Sequence, residues 1–167
     1  MPHKILPVDP RFARPDRQAY IRQFIHPGFE VTLPASFDRE TLLREARAAA
    51  AIITGMAPIT AEIMAAAPGL RVVGKVGTGV DSIDVAAATA RKIPVANAPG
   101  WLRCVPVAEH AFTLMLMSAR RPWLWRTPER RFHVQLEGST LGIVGLGNIG
   151  QAVAARGAAF GMKLLAH

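Results

Sequence analysis

The sequence predicts an α/β fold built on a doubly wound parallel sheet, and three observations support this. Short apolar segments of strand type alternate with segments of helical periodicity along the chain. The run Leu70–Val76 is mostly apolar, as in a strand that a parallel sheet covers on both faces. A glycine-rich turn follows another apolar segment at Thr140–Val144. Parallel neighbours need a crossover connection, and the intervening helices would supply it.

The amino-terminal elements are predicted from local signals. Strands are expected near Lys4–Val8 and at Phe29–Leu33, with a polar stretch between them. Asp38 can cap a helix whose apolar residues recur at i, i+3 and i+4, and this helix leads into a buried strand at Ala51–Ile53.

Capping residues also locate the next helices. Thr60 can open one helix, and Asp81 and Asp84 can accept hydrogen bonds from the unpaired N–H groups at the start of another. The elements expected here are a helix at Ala61–Ala67, the strand at Leu70–Val76, a helix at Val85–Arg91 and a strand at Ile93–Ala96.

The remaining chain divides into a long helix and a second βαβ unit. Val107–Arg120 is apolar nearly all round, which predicts a helix buried on most sides, at a domain or subunit interface. The second unit comprises a strand at Thr140–Val144, a helix at Asn148–Phe160 and a strand at Met162–Ala166. We therefore expect a first domain over 1–100, a bridging helix and linker over 101–138, and the start of a second domain over 139–167.

Composition and charge narrow the function classes. Half of the 167 residues are hydrophobic and the net charge is +8, which suits either a nucleic-acid binder or an enzyme for anionic substrates. No recognisable nucleic-acid module surrounds the most basic stretch, so we interpret it as a solvated linker and expect no nucleic-acid partner. That stretch contains Arg120, Arg121, Trp123, Trp125, Arg126, Arg130 and Arg131.

Cellular location and redox chemistry follow from what the sequence lacks. No apolar stretch reaches the roughly eighteen residues that span a bilayer, and no secretory signal is recognisable at the start. A cytoplasmic protein without a membrane partner is therefore expected. Cys104 is the only cysteine, so we predict neither a disulfide framework nor a metal site, and we interpret Cys104 as a small apolar side chain.

A complete G-x-G-x-x-G set occupies the turn after Thr140–Val144. Gly145 would permit the tight turn, Gly147 would let a pyrophosphate approach the backbone, and Gly150 would let the helix pack close to the strand. The helix N-terminus would then present unpaired N–H groups to the phosphates. A plain strand-to-helix turn or an adenosylmethionine-binding turn are the alternatives. We expect NAD or NADP as the cofactor, and the choice between them stays open because the acidic residue expected about 20 positions later falls near the last residue.

Four ordered motifs resemble the D-isomer-specific 2-hydroxyacid dehydrogenase family. They are Gly77-Thr78-Gly79-Val80-Asp81-Ser82-Ile83-Asp84, Asn97-Ala98-Pro99-Gly100, Val107-Ala108-Glu109-His110-Ala111 and Leu141-Gly142-Ile143-Val144-Gly145-Leu146-Gly147-Asn148-Ile149-Gly150. The resemblance implies a flavodoxin-like substrate domain followed by the first βαβ unit of an incomplete Rossmann NAD(P)-binding domain. It also implies hydride transfer between the nicotinamide and a small 2-hydroxy or 2-keto acid, and a possible homodimer.

The resemblance assigns roles to both glycine loops. Gly77, Thr78 and Gly79 would offer backbone N–H groups to the substrate carboxylate, with Thr78 also near the nicotinamide. The alternative is a tight left-handed turn that Gly79 would satisfy. Glu109 and His110 are interpreted as structural. The residues expected to bind the cofactor are Thr78, Gly145, Gly147, Asn148, Ile149 and Gly150.

The chain also departs from the family pattern. The family uses an Arg, a carboxylate and a His for catalysis, and we assign none of the 167 residues to these roles. We therefore expect an inactive fragment of a dehydrogenase, or alternatively a nucleotide-binding remnant or corepressor-like interaction protein. Ile53-Thr54-Gly55-Met56 occupies the place where phosphoglycerate-type members often present an Arg followed by Ser, which argues against a phosphorylated substrate.

Overall fold

The computed structural model describes residues 2–98, 100, 104–120 and 134–167. They form two compact units, Met1–Ala98 and Pro99–His167. The basic and aromatic stretch of 121–133 lies outside the described residues, so its interpretation as a linker stays a prediction. In the part of the chain that is described, no helix is both long and apolar enough to cross a membrane.

The first unit is a five-stranded sheet in the order β2-β1-β3-β4-β5, and every neighbouring pair is parallel. This strand order is that of flavodoxin-like doubly wound sheets, so the predicted fold class is confirmed. The strands are β1 His3–Pro7, β2 Phe29–Val31, β3 Ala51–Thr54, β4 Val72–Lys75 and β5 Val95–Asn97. The helices are α1 Pro15–Arg22, α2 Arg39–Ala46, α3 Ala61–Ala66 and α4 Val85–Ala90, with a 3-10 helix at Pro10–Ala13.

The core of this unit lies on the three central strands. Ile52 of β3 is in register with Leu6 of β1 on one side and Val73 of β4 on the other. All three side chains are fully buried, and Met64 of α3 packs into the same cluster. Each such side chain stabilises the fold by about 1.5–3 kcal/mol through removal of apolar surface from water. This buried core holds the central strands in place, and the strands in turn position the loops that follow their carboxyl ends.

Local signals predicted most of these elements, with two exceptions. The side chains of Asp38, Thr60 and Asp84 accept hydrogen bonds from the first turns of α2, α3 and α4, as expected. Asp81 does not cap α4, since Asp84 is the N-cap residue. The polar stretch after β1 contains α1, which sequence periodicity missed because the helix buries none of its residues.

The second unit contains α5 Cys104–Arg120, β6 Thr140–Ile143, α6 Asn148–Ala159 and β7 Lys163–Ala166. Strands β6 and β7 pair in parallel, which confirms the predicted second βαβ unit. Phe112 of α5 stacks on Phe160, with ring centroids 5.2 Å apart.

The prediction that α5 is buried on most sides is wrong for this chain. Ala108 and Phe112 are buried, whereas the other sides of the helix carry apolar residues that are close to half exposed. Helix α6 covers the buried side through the Phe112–Phe160 contact, and the predicted interface role of α5 stays a prediction. The exposed apolar residues of α5 are Val105, Val107, Leu114 and Met117.

Candidate functional site

The loop after β4 is the candidate anion site of the first unit. Gly77 has a φ of +151°, a conformation that L side chains rarely adopt, so glycine is required there. Gly79 is not in the left-handed region, and the alternative interpretation that Gly79 makes a left-handed turn is therefore wrong. The Ala98 N–H donates to the Gly77 carbonyl at 2.9 Å, and Asn97 Nδ2 donates to the Thr78 carbonyl at 2.6 Å. These bonds hold the carbonyl groups of the loop toward β5.

Two N–H groups of the same loop remain available. Within residues 2–98, the N–H groups of Thr78 and Gly79 form no hydrogen bond to the protein. Both residues are exposed. Successive backbone N–H groups without acceptors form a concavity that suits an anion. Thr78 and Gly79 can thus offer N–H groups to a carboxylate, whereas the Gly77 N–H already donates to the Lys75 carbonyl at 3.0 Å.

Lys75, at the end of β4, is a charged residue that the sequence interpretation passed over. Only 9% of the residue is exposed, and Nζ donates to the Gly55 carbonyl and, at 2.9 Å, to Ser82 Oγ. It forms no ion pair among the described residues. A buried ammonium without a carboxylate partner makes the surrounding potential positive. A lysine inside the mostly apolar run 70–76, which also contains Arg71, was the sequence signal for it.

A second charged group lies at the carboxyl end of β1. The Asp9 side chain is 4% exposed and accepts from Arg11 Nη2 at 2.7 Å and from the Met56 and Ala57 N–H groups at 2.6 and 3.2 Å. The Arg11 guanidinium, together with these backbone donors, holds the pKa of Asp9 well below its usual range. Asp9 therefore ties the β1 loop to the β3 loop as a carboxylate.

The G-x-G-x-x-G turn belongs to the second unit. Gly145 has a φ of +90°, and its N–H donates to the His167 carbonyl at 2.8 Å. A methyl group on Gly150 would overlap the Gly145 carbonyl oxygen and lie 3.4 Å from Ile143 Cγ2. Gly145 thus permits the tight turn, and Gly150 permits close packing of α6 on β6, as the sequence predicted.

Gly147 has a different environment from the other two glycines. Its φ is −75°, and a Cβ atom there would meet no protein atom within 4 Å. It is the N-cap residue of α6, it offers no side-chain cap, and the following Asn148 and Ile149 are exposed. The open space and the uncapped helix start fit a phosphate group held by backbone N–H donors.

The described residues hold few candidates for other chemistry. His110 is exposed on α5, and His167 contributes backbone bonds to Ile143 and Gly145. Glu109 pairs with Arg156 at 3.2 Å, in keeping with its interpretation as structural. Over residues 2–98, 100, 104–120 and 134–167, no three metal-ligating side chains come together.

Comparison with known proteins relates the chain to one family. The family described as D-isomer specific 2-hydroxyacid dehydrogenase, catalytic domain, matches residues 8–160. D-3-phosphoglycerate dehydrogenase of Archaeoglobus fulgidus is 40% identical over 149 residues, which cover 84% of this chain and 28% of that enzyme. Glyoxylate reductase of Aeropyrum pernix is 40% identical over 144 residues, which cover 77% of this chain and 43% of that enzyme.

A solved structure extends the likeness to the fold. The NAD+-bound 3-phosphoglycerate dehydrogenase of Entamoeba histolytica superposes with a TM-score of 0.76 and 26% identity. The superposition covers all of this chain and 54% of the Entamoeba chain. The chain thus spans from about a quarter to about half of the relatives that it matches. Because the family description matches most of its residues, this chain belongs to the D-isomer specific 2-hydroxyacid dehydrogenase family.

Proposed function

We propose that this chain supplies the substrate-carboxylate loop and the cofactor-phosphate turn of an NAD(P)-dependent oxidoreductase. When bound, the nicotinamide accepts or donates the hydride that interconverts a 2-hydroxy acid and a 2-keto acid. Residues 1–100 form the substrate domain, 101–138 the bridging helix and linker, and 139–167 the start of the cofactor domain. Family membership and the arrangement of both glycine loops support this assignment.

The environment of Gly147 is the observation that carries the proposal. Gly145 and Gly150 have roles within the protein, because one takes a positive φ and the other packs against backbone. Gly147 has no such role: its φ suits any residue, and a side chain there would meet open space. A glycine that the fold does not require, at the start of a helix, is explained by a ligand that approaches the backbone.

The substrate loop has a complementary part. The N–H groups of Thr78 and Gly79 bind the carboxylate of the 2-hydroxy acid, and Lys75 beneath the loop raises the local potential. We assign no residue of this chain to proton transfer, so we expect the 167 residues to bind NADH without turning over a 2-keto acid.

NADH fluorescence tests the proposal directly. The purified chain is titrated with NADH, and glyoxylate and hydroxypyruvate are then added to measure oxidation of the cofactor. Enhanced fluorescence without oxidation supports the proposal, and oxidation would mean that proton-transfer residues within the chain were missed. Competition by NAD+ and NADP+ identifies the preferred cofactor.

Gly147→Ala makes the test specific to the turn. We expect about a tenfold or greater loss of NADH affinity, because the added methyl occupies the space of the pyrophosphate, with no loss of stability. Gly142→Ala on β6 is the matched control, since a Cβ atom there also meets no atom within 4 Å. Equal NADH affinity in the wild type and in both variants would reject Gly147 as a cofactor residue.

The partners of the protein follow from the same proposal. We infer a small 2-hydroxy or 2-keto acid as substrate, NAD or NADP as cofactor, a cytoplasmic location and a homodimer. Exposed apolar residues on α5 support an association between copies. Sedimentation of the purified chain at increasing concentration tests the dimer.

A further inference from the structure

Arg11 and Gly55 lie at the position in the sheet where ligands are expected to bind. Arg11 follows β1 and Gly55 follows β3, and these strands are neighbours in the order β2-β1-β3-β4-β5. In such sheets the strand order reverses between β1 and β3, and a crevice opens there beyond the carboxyl ends of the strands. The loops after β1 and β3 therefore line the crevice of the first unit.

The absence of a side chain at Gly55 determines where the Arg11 guanidinium lies. A methyl group on Gly55 would overlap Arg11 Nη2 and lie 2.9 Å from Asp9 Oδ2. Gly55 needs no unusual backbone conformation, since its φ is not positive. The glycine thus makes room for the guanidinium. Any larger residue would push Arg11 out of the crevice or separate it from Asp9.

Arg11 retains donors that Asp9 does not use. Nε and Nη2 donate to the Asp9 carboxylate, whereas Nη1 forms no hydrogen bond among the described residues. A guanidinium carries five N–H donors in a fixed plane. The Arg11 side chain is 58% exposed, although its partner is buried. A guanidinium that Asp9 orients from behind and that faces solvent is preorganised for a second anion.

The same group is connected to the proposed substrate loop by direct contacts. Gly55 offers its carbonyl to Lys75 Nζ, and Lys75 Cε lies 3.4 Å from where a Cβ atom on Gly77 would be. Two cations, Arg11 and Lys75, therefore flank Gly55 together with the carboxylate of Asp9. A second carboxylate, that of Asp81, lies at the substrate loop, with Oδ2 2.8 Å from where a Cβ atom on Gly79 would be. Of the two cations, Arg11 is the exposed one.

We propose that Arg11 is a specificity-determining residue that binds a second anionic group, carboxylate or phosphate, of the 2-hydroxy acid substrate. This inference rests on the proposed function, in which the Gly77–Gly79 loop binds the first carboxylate. Asp9 positions the guanidinium, and Gly55 admits it. In the simpler role Arg11 would only neutralise Asp9, and its unused Nη1 donors would bind water instead of an anion.

Binding measurements on the whole chain test the proposal. NMR titration of the labelled chain compares D-lactate, which has no second anion, with D-malate and D-3-phosphoglycerate. We expect the wild type to bind D-malate and D-3-phosphoglycerate, which have a second anionic group, about tenfold more tightly than D-lactate, as one charged hydrogen-bonded contact allows. The same titration shows whether a second carboxylate or a phosphate is preferred, and both D-malate and D-3-phosphoglycerate should shift the Arg11 Nε–H resonance.

Two variants separate the specificity role from a structural one. Arg11→Gln should abolish the preference over D-lactate, and Gly55→Ala should do the same by displacing a guanidinium that is still present. Arg11→Lys should restore part of the preference. Arg14→Gln is the matched control, because Arg14 pairs with Asp16 two residues away, as Arg11 does with Asp9, but at an exposed site.

The outcomes distinguish this proposal from the function on which it rests. The role of Arg11 alone is overturned if D-lactate binds as tightly as the two acids with a second anionic group. It is also overturned if the preference for those acids survives in Arg11→Gln. No binding of any of the three acids overturns the Gly77–Gly79 carboxylate site as well. Because Gly55→Ala retains every charge, a preference lost in Arg11→Gln but kept in a folded Gly55→Ala would contradict the placement by Gly55.

Discussion

The two units of the chain contain the same βαβ pattern but differ in how far they bury it. In the first unit β3 and β4 have strands on both sides, and Ile52 and Val73 are fully buried. Among the described residues of the second unit, β6 and β7 pair only with each other, and Leu165 of β7 is 66% exposed. Apolar segments thus predicted strands correctly in both units. How deeply a strand is buried depends instead on whether other strands pair with it on both sides. The candidate sites differ accordingly, since the first rests on a buried sheet and the second on a two-stranded one.

Truncation of a central side chain should give the largest difference between the units. We expect Ile52→Ala to lower the free energy of unfolding of the first unit by about 3–4 kcal/mol, because a fully buried side chain leaves a cavity. Leu165→Ala removes a comparable side chain from β7 and should cost less than about 0.5 kcal/mol. Hydrogen exchange of backbone amides reports on each unit separately. An equal loss of unfolding free energy in the two variants would contradict the difference in burial between the units.

The buried ion pair should give the next largest effect. Asp9→Asn removes the charge that accepts from Arg11, Met56 and Ala57, and we expect a loss of about 2 kcal/mol in the first unit. Asp16→Asn removes a carboxylate from an exposed pair with Arg14 and should leave stability unchanged. Hydrogen exchange at pH 7 compares the two variants. A loss as large in Asp16→Asn would mean that burial does not set the strength of the pair.

The pH dependence of the same variant provides a second check. The pKa of Asp9 is lower in the folded state than in the unfolded chain, mainly because Arg11 donates to the carboxylate. The folded state therefore gains stability above the ordinary pKa of an aspartate, and this gain is lost as pH falls through the lowered folded pKa. The difference between wild type and Asp9→Asn should shrink as pH falls below about 4. A difference that is constant between pH 7 and pH 3 would assign the loss to shape rather than to charge.

Sequence periodicity predicted the fold because each signal is local. Asp38, Thr60 and Asp84 cap helices through bonds to residues three positions away, and such spacing is visible in a sequence. Gly145 and Gly150 were interpretable for the same reason, as one short turn contains both. Helix α1 was missed because it buries no side chain and so has no apolar periodicity to detect.

Contacts between distant residues were beyond a sequence interpretation. The sequence shows Thr54-Gly55 as a place without a basic side chain, whereas the fold brings Arg11 from the β1 loop onto Gly55. Lys75 is visible as a charge in a mostly apolar run, but its bonds to Gly55 and Ser82 depend on how the loops after β3 and β4 fold. Such contacts depend on the order and register of the strands, and these cannot be derived from any single segment of the sequence.

The exposed ion pair of the second unit should have the smallest effect and completes the comparison with Asp9–Arg11. Arg156 Nη2 of α6 lies 3.2 Å from Glu109 Oε1 of α5, and the two side chains are 28% and 62% exposed. A double-mutant cycle of Glu109→Gln and Arg156→Gln should give a coupling of about 0.5 kcal/mol, because solvent weakens the attraction and ordering long side chains costs entropy. Hydrogen exchange of α6 amides measures this coupling energy, and 1 M salt should nearly abolish the coupling, since the Debye length falls to about 3 Å.

Coupling above about 2 kcal/mol that persists in salt would show that the α5–α6 contact is shielded from solvent. The second unit would then be more thoroughly packed than the exposure of β7 indicates.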